Sequence, residues 1–577
     1  MQIEWVKLKG FRNFRSTHVN MAEKTLIIGA NDVGKTNLLY AIRLLLDRTL
    51  SAADIEPDES DFHVTLDGKQ ATELSITAKL AGITEDAVLS SLKGAVSEKG
   101  CTYVRYSAQL SDLEHRLSFG HALKDLEEVE ARFYLKYIHF RYIQSSRNLL
   151  HFINTEKRHL LRLAKEAREE SQKTTDQTAE GKIQSDLADV NEAVGKLSYV
   201  ADSTAAVNTE LGKLSHHHAD YKISLEAKAI RFATFLDQLS LGATTQSRSV
   251  GLGGDGRNNQ ILVALWKAKS EREHDCDSEA VIYCIEEPEA HLHPHQQRKL
   301  AQYLIDELPG QILISTHSPQ ITEQFRPDGI VRLLEKAGKT AAASKGCSEC
   351  IDKAWEDMGY RMSIIPAEAF FADAVFLVEG PSEALFYNEL ALQLSIDLDY
   401  HNVSILAVDG IDFKVFVRIL DALEIPWVMR TDNDVFKVPK KDEWRFAGLN
   451  RALDIADENT YKNVTTEWSP ERVHEWWIKQ KDCLTLKGIY LSKCDLEHDV
   501  GEACAEELKA YAEEEELDAA VKHLQGKKAL RMGEFLAQHG EALNGLCDDP
   551  LAKPLKHLVA SATPRKRKKV KSDLCLD

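Results

Sequence analysis

Short apolar runs that stop abruptly at a glycine or an acid recur along the chain, and helix-spaced stretches follow them, the rhythm of parallel α/β structure. Thr25-Leu26-Ile27-Ile28 runs into Gly29, and residues 37–46 then predict a helix. Residues 281–285 stop at Glu286, residues 311–315 stop just ahead of His317, and residues 137–143 read as a further strand. From about residue 367 the rhythm restarts. Strands at 374–378, 403–408 and 427–430 end at Glu379, Asp409 and the Asp432-Asn433-Asp434 triplet.

Residues 155–239 break the pattern. They are charged, almost free of Gly and Pro, and carry apolar residues at helical spacing, as in Leu160, Leu161, Leu163 and Ala164. A compact helical insertion that pairs two chains is expected, since the segment is too short for a long coiled-coil arm. The organisation expected is therefore one α/β unit over residues 1–154 and 240–345, split by an insertion at 155–239. A linker at 346–366 leads to a second α/β unit over 367–560, and a basic tail occupies 561–577. The second unit carries an insert at about 437–487, rich in Trp (Trp444, Trp468, Trp476, Trp477), expected to be helical.

Composition narrows the picture. The chain has 577 residues, 43% apolar and 28% charged, enough for two or three domains. Its net charge of −19 argues against nucleic-acid binding over the whole surface, so any such binding must use local patches. The dense basic run is Arg565-Lys566-Arg567-Lys568-Lys569, near the C-terminus. No apolar stretch approaches the roughly 20 residues that span a bilayer, and the N-terminus lacks a signal pattern. No membrane association and a cytoplasmic location are expected. Ten scattered cysteines, with one Cys347-Ser348-Glu349-Cys350 pair, suit a reducing compartment. The adjacent His216-His217-His218 do not converge on one ion from neighbouring positions.

Residues 29–36, Gly29-Ala30-Asn31-Asp32-Val33-Gly34-Lys35-Thr36, form a phosphate-binding loop between strand and helix. Its glycines let backbone N–H groups close on phosphates at the helix N-terminus, Lys35 reaches the β/γ oxygens, and Thr36 is placed for Mg²⁺. Gly29, Asn31, Gly34, Lys35, Thr36 and Asn37 are thus the expected nucleotide contacts. At the other strand ends, Glu286 supports Mg²⁺ through its water shell, Glu287 polarises the attacking water, and His317 senses the γ-phosphate. A glycine-rich stretch at 249–260, containing Gly254, opens another helix. In this order the motifs resemble ABC-type ATPases of the RecF/SMC kind. The resemblance implies that the glycine-rich signature of one subunit caps ATP on another, so a homodimer or higher homo-oligomer is expected. The signature departs from Leu-Ser-Gly-Gly-Gln. Gln144, with Arg147 as a rival, is the matching candidate for the Mg²⁺-contacting glutamine.

In the second unit, Glu379 and an Asp432-x-Asp434 pair at neighbouring strand ends are oxygen ligands suited to Mg²⁺ or Mn²⁺. The arrangement resembles a Toprim domain. An ABC-type head followed by a Toprim domain resembles the overcoming-lysogenisation-defect (OLD) family of nucleases, which includes the large subunit of the Gabija phage-defence system. That resemblance implies a metal-dependent DNA endonuclease with an attached ATPase, and a possible helicase-like partner. By position, Glu379, Glu383, Asp432 and Asp434 would hold metal, with Asp495 and Glu497 as later acids. Lys528, or its neighbour Lys527, would stabilise charge on the phosphorus centre. The alternative is an ATP-driven DNA clamp or loader whose Toprim domain does not cut, but such a domain has no chemical need to keep all three acids.

Overall fold

The structure, a computed structural model, describes residues 1–92, 94–129, 132–143, 149–214, 241, 243–245, 248–250, 260–261, 263–265, 267–268, 278–290, 292–347, 367–409, 413–462, 464–465, 472 and 480–562. Gln144, Arg147, His216–His218, Gly254, Cys350, Trp468, Trp476, Trp477 and the basic tail lie outside these residues. The chain divides into two units. One comprises Met1–Ile143, Asp277–Pro288 and Pro294–Asp577, the other Gln144–Cys276 and Glu289–His293.

The first unit begins with two six-stranded sheets. One is antiparallel throughout, in the order Phe14–Asn20, Gln2–Phe11, Glu73–Ala81, Thr102–Gln109, His115–Gly120 and Glu127–Val129. The other is parallel except for one edge, in the order Lys339–Ala342, Ile330–Lys336, Lys24–Gly29, Gln311–Ser315, Ala280–Glu286 and Ile138–Ile143. The helix Lys35–Leu46 touches strands of both sheets and buries Leu38, Leu39, Ile42, Leu45 and Leu46. A helix after the phosphate loop was legible. Its burial on most sides was not, because that depends on its packing against Glu73–Ala81 and Thr102–Gln109, strands of the antiparallel sheet that follow it in the chain.

A second core surrounds a four-stranded parallel sheet ordered Val403–Ala407, Ala374–Val378, Trp427–Thr431 and Ile489–Leu491. Its inner strand Ala374–Val378 is buried at every position, which explains why it reads as an unbroken apolar run. Helices Pro381–Gln393 and Lys553–Ser561 cover this sheet, and Lys528–His539 packs on the first of them. All four strands run parallel, so Glu379 and Asp432 emerge on the same edge.

Two expectations need correction or refinement. The insert expected to be helical also contains a three-stranded antiparallel sheet, Val435–Lys437, Glu443–Phe446 and Val464–Thr465, with the helix Ala447–Ile455 between its second and third strands and the helix Lys481–Leu486 after them. Its short period-two segments were too brief to outweigh the aromatic content. Among the described residues of the second unit, the helices include Leu149–Glu166, Glu170–Gly195 and Ser198–Leu214, so described helical structure begins at Leu149, before the expected insertion boundary. Among the described residues, no helix is long and apolar enough to cross a membrane.

One buried side chain ties the two cores of the first unit. Arg332 pairs in the sheet with Ile28, one position before Gly29. Its guanidinium donates to the carbonyls of Leu423 (3.2 Å), Glu424 (3.0 Å) and Ala372 (3.0 Å), in segments flanking the second sheet. Lys336, on the same strand, pairs with Glu424, whose carboxylate also accepts from the Ser344 amide at 3.1 Å.

Candidate nucleotide and metal sites

The phosphate loop is shaped by two glycines. Gly34 has φ 107°, and a Cβ there would stand 1.9 Å from Asn13 Nδ2. Gly29, at φ 151°, would bring a Cβ to 2.5 Å from the Leu333 carbonyl oxygen. Asn13 fastens the loop from behind, donating to Val33 O (2.6 Å) and Thr340 Oγ1 (2.7 Å) and accepting from Asn37 Nδ2 (2.9 Å). Asn37 is therefore a brace of the loop, held in turn by Arg12 at 2.8 Å. Lys35 is buried and donates to the carbonyls of Gly29 and Ala30, both at 2.9 Å. Asn31 and Thr36 are exposed on the loop.

The strand Ala280–Glu286 is wholly buried and delivers Glu286, 4% exposed, to the same edge. Glu287 turns out of the strand at φ 44°, with its amide bonded to Ser315 O at 2.8 Å. His317 Nε2 lies 3.6 Å from Glu287 Oε1. Burial, and then the nearby Lys35 charge, push the imidazole below its ordinary range, so it is neutral near pH 7. Lys35, Glu287 and His317 are thus gathered from three separate strand ends, as the sequence suggested.

In the second core, Glu379 Oε1 accepts from the Asp432 amide at 3.0 Å and from Thr431 Oγ1 and Arg451 at shorter range. Asp432 is 7% exposed, and burial, with the Glu379 charge beside it, pushes its carboxyl up to about 8. Asp434, at φ 34°, is held by Arg451 at 2.6 Å. Glu383 reaches back to the Gly380 amide at 3.1 Å and is raised by burial and by the Glu497 charge. Glu497 has a fully buried side chain, and Lys528 Nζ lies 3.1 Å from its Oε2 and 3.8 Å from Asp432 Oδ2. The 3.1 Å approach is a charge contact without hydrogen-bond geometry, since Oε2 has no hydrogen-bond partner. Asp495 caps the helix Leu496–Ala503 and accepts from His498 and Gln525 through its two oxygens. Burial alone would raise it, but those bonds hold it down to about 2.

Crowded, partly buried carboxylates that repel one another suit a hard divalent cation, and the donor set contains only oxygen. Among the described residues, however, no three such donors stand together in a metal-holding group. Arg451 and Lys528 engage their oxygens instead. Neither Arg451 nor Arg430 was anticipated as part of this site. Arg430 is buried behind the acids and donates to Ser492 Oγ (2.8 Å) and to Asp499. Arg451 reaches Glu379 across 72 residues of sequence and Arg430 reaches Asp499 across 69, with no motif spacing to mark them.

With this geometry in view, comparison with known proteins is decisive. Residues 1–322 match the AAA ATPase domain family. The chain belongs to that family. Behind this AAA ATPase domain, residues 370–434 match the Toprim domain of overcoming-lysogenization-defect-like proteins, so the chain combines an ATPase head with an OLD-like Toprim domain. It is 26% identical to Endonuclease GajA of Bacillus cereus (strain VD045) over 93% of this chain and 95% of that protein. It is 23% identical to Old nuclease of Escherichia phage P2 over 70% of this chain and 72% of that one. With OLD nuclease of Thermus scotoductus it shares 27% identity over 33% of this chain and 38% of that one. ATPase and Toprim domains on one chain imply use of a nucleotide and of a divalent metal.

Proposed function

We propose that this protein is a DNA endonuclease that cuts at its Toprim acids with Mg²⁺ or Mn²⁺ and is controlled by ATP on its head, in bacterial defence against phage. The observation that carries this reading is the meeting of Glu379, Asp432 and Lys528 at one edge of a parallel Toprim sheet. Nuclease relatives that align over nearly the whole chain support it.

When bound, the divalent ions supply a water nucleophile of lowered pKa and stabilise the leaving oxygen. Glu379, Asp432 and Asp434 would hold them, with Glu383, Glu497 and Asp495 behind. Glu379 would also accept a proton from the attacking water. Lys528 keeps its charge because, although burial opposes it, Glu497 and Asp432 lie alongside, and it can face the charge building on phosphorus.

On the head, Gly29, Gly34, Lys35 and Thr36 would cradle ATP and its Mg²⁺, and Glu286, Glu287 and His317 would line the hydrolytic side. Gln144 and Gly254 keep the roles implied by the ABC-type resemblance, Gly254 from a second copy of the chain. A homodimer or larger assembly follows from that arrangement, and a helicase-like partner subunit and a cytoplasmic location belong to the same reading. Arg332 offers a physical route between the sites, since it is hydrogen-bonded into the phosphate-loop sheet and holds the segments flanking the second sheet.

The test is cleavage of supercoiled plasmid by the purified full chain. Nicking or linearisation with Mg²⁺ or Mn²⁺, abolished by EDTA, is expected. Plasmid left intact under every metal and nucleotide condition, with DNA still bound, would favour the clamp reading instead.

A further inference from the structure

Arg451, unlike the buried Arg430, lies directly on carboxylates of the proposed metal site, and motif reasoning does not explain it. Its guanidinium grips Glu379, Thr431 Oγ1 (2.6 Å) and Asp434 Oδ2 (2.6 Å). These carboxylates are two of those proposed to hold the divalent cation, and this inference rests on that reading of the site. A guanidinium and a hard cation compete for the same oxygens. Arg451 cannot yield by losing a proton, because arginine stays charged at any relevant pH. It can yield only by moving.

The surroundings permit that movement in the side chain and oppose it in the backbone. The helix Ala447–Ile455 is clamped just before Arg451. A Cβ on Gly448 would stand 1.9 Å from Asp432 O, so the helix lies directly on the strand end. The Ala447 amide donates to Asp434 O at 3.1 Å, and Asn450 exchanges bonds with the Tyr461 backbone at 2.9 and 2.7 Å. The Arg451 side chain, by contrast, is 29% exposed and Asp434 is 42% exposed, so a path toward solvent is open. Lys528 differs, since its nearer partner Glu497 has a fully buried side chain.

We propose that Arg451 is a displaceable internal cation. It neutralises Glu379 and Asp434 until a divalent ion takes their oxygens, and the released guanidinium then contacts a phosphate of the DNA backbone. In this role it is a positioning residue for metal loading and a contact for the substrate. A guanidinium freed at the site edge suits a phosphodiester, which it can bind through two parallel N–H donors.

The test measures Mn²⁺ binding to the full-length protein without DNA, by the EPR signal of free Mn²⁺, for wild type, Arg451→Ala, Arg451→Lys and Glu379→Ala. Arg451→Ala should bind Mn²⁺ about tenfold more tightly than wild type, because one charge-assisted contact no longer has to be broken. Arg451→Lys should fall between them, and it also serves as the variant that keeps the charge if the alanine form is unstable. Affinity for a linear duplex in Ca²⁺ should move the opposite way, weakening about tenfold in Arg451→Ala. A purely structural arginine would not tighten one ligand while loosening the other. Equal or weaker Mn²⁺ binding in Arg451→Ala, with Glu379→Ala still defective, overturns the displacement idea alone. Failure of wild type to bind Mn²⁺, or unchanged binding in Glu379→Ala, overturns the metal site itself and this inference with it.

Discussion

Asp432→Ala is expected to lower the rate of DNA cutting by at least about a thousandfold, with ATP binding unchanged. The size follows from its position. The Asp432 amide, which the substitution keeps, fixes Glu379, while its carboxylate, which the substitution removes, faces Lys528 at 3.8 Å, so the change takes away a proposed metal ligand at the centre of the site and leaves the backbone bond in place. The fold should tolerate the change. Burial and the Glu379 charge disfavour the ionised carboxylate in the folded protein, so a neutral side chain at this position relieves repulsion near pH 7. Asp432→Asn, which keeps the shape, should therefore be inactive with an undiminished thermal midpoint. Binding of a fluorescent ATP analogue provides the control. If Asp432→Ala lost nucleotide binding as well, the two chemistries would not be separable and the assignment of Asp432 to the nuclease would fail.

Glu287→Gln is expected to bind ATP as wild type does and to hydrolyse it about a hundred- to a thousandfold more slowly, because an amide cannot take up a proton from the attacking water. Glutamine has the same length and the same backbone demands, so the unusual φ of 44° at this position is no harder for it to adopt. A variant that holds ATP without consuming it should also accumulate the closed assembly, with a light-scattering mass of at least twice 64.8 kDa. Normal turnover in Glu287→Gln would move the catalytic role to Glu286 or Glu289. A mass of one chain with ATP bound would remove the dimer from the account.

What the sequence disclosed and what it hid divide along a physical line. The phosphate loop, Glu286, Glu287, His317, Glu379 and Asp432 all sit at the ends of short apolar strands. Such strands announce themselves by composition, and their parallel pairing brings the ends together. Lys528 was legible only through resemblance, and the structure places it beside Glu497 and Asp432. Asp495 reads in sequence like another ligand, yet its oxygens are engaged in capping a helix and in bonds to His498 and Gln525. Arg451, Arg430 and Arg332 were not legible. Each is a single cation in an ordinary helix or strand, and its meaning comes from carboxylates or carbonyls that only the folded chain brings near it. The small antiparallel sheet around Trp444 was missed because strands of two to four residues carry too little periodicity to register.

The central claim is that nucleotide on the head governs cutting by the Toprim acids. Its most direct test is the initial rate of plasmid cleavage in saturating Mn²⁺, measured from zero to millimolar ATP in wild type, Lys35→Ala and Arg332→Ala. The account predicts a rate that changes with ATP in wild type, with inhibition favoured by the family resemblance. It predicts a flat response in Lys35→Ala, which lacks the phosphate-binding ammonium, and a flattened one in Arg332→Ala, which lacks the bonds joining the two cores. Equal wild-type rates at zero and millimolar ATP would contradict it, leaving two independent sites on one chain.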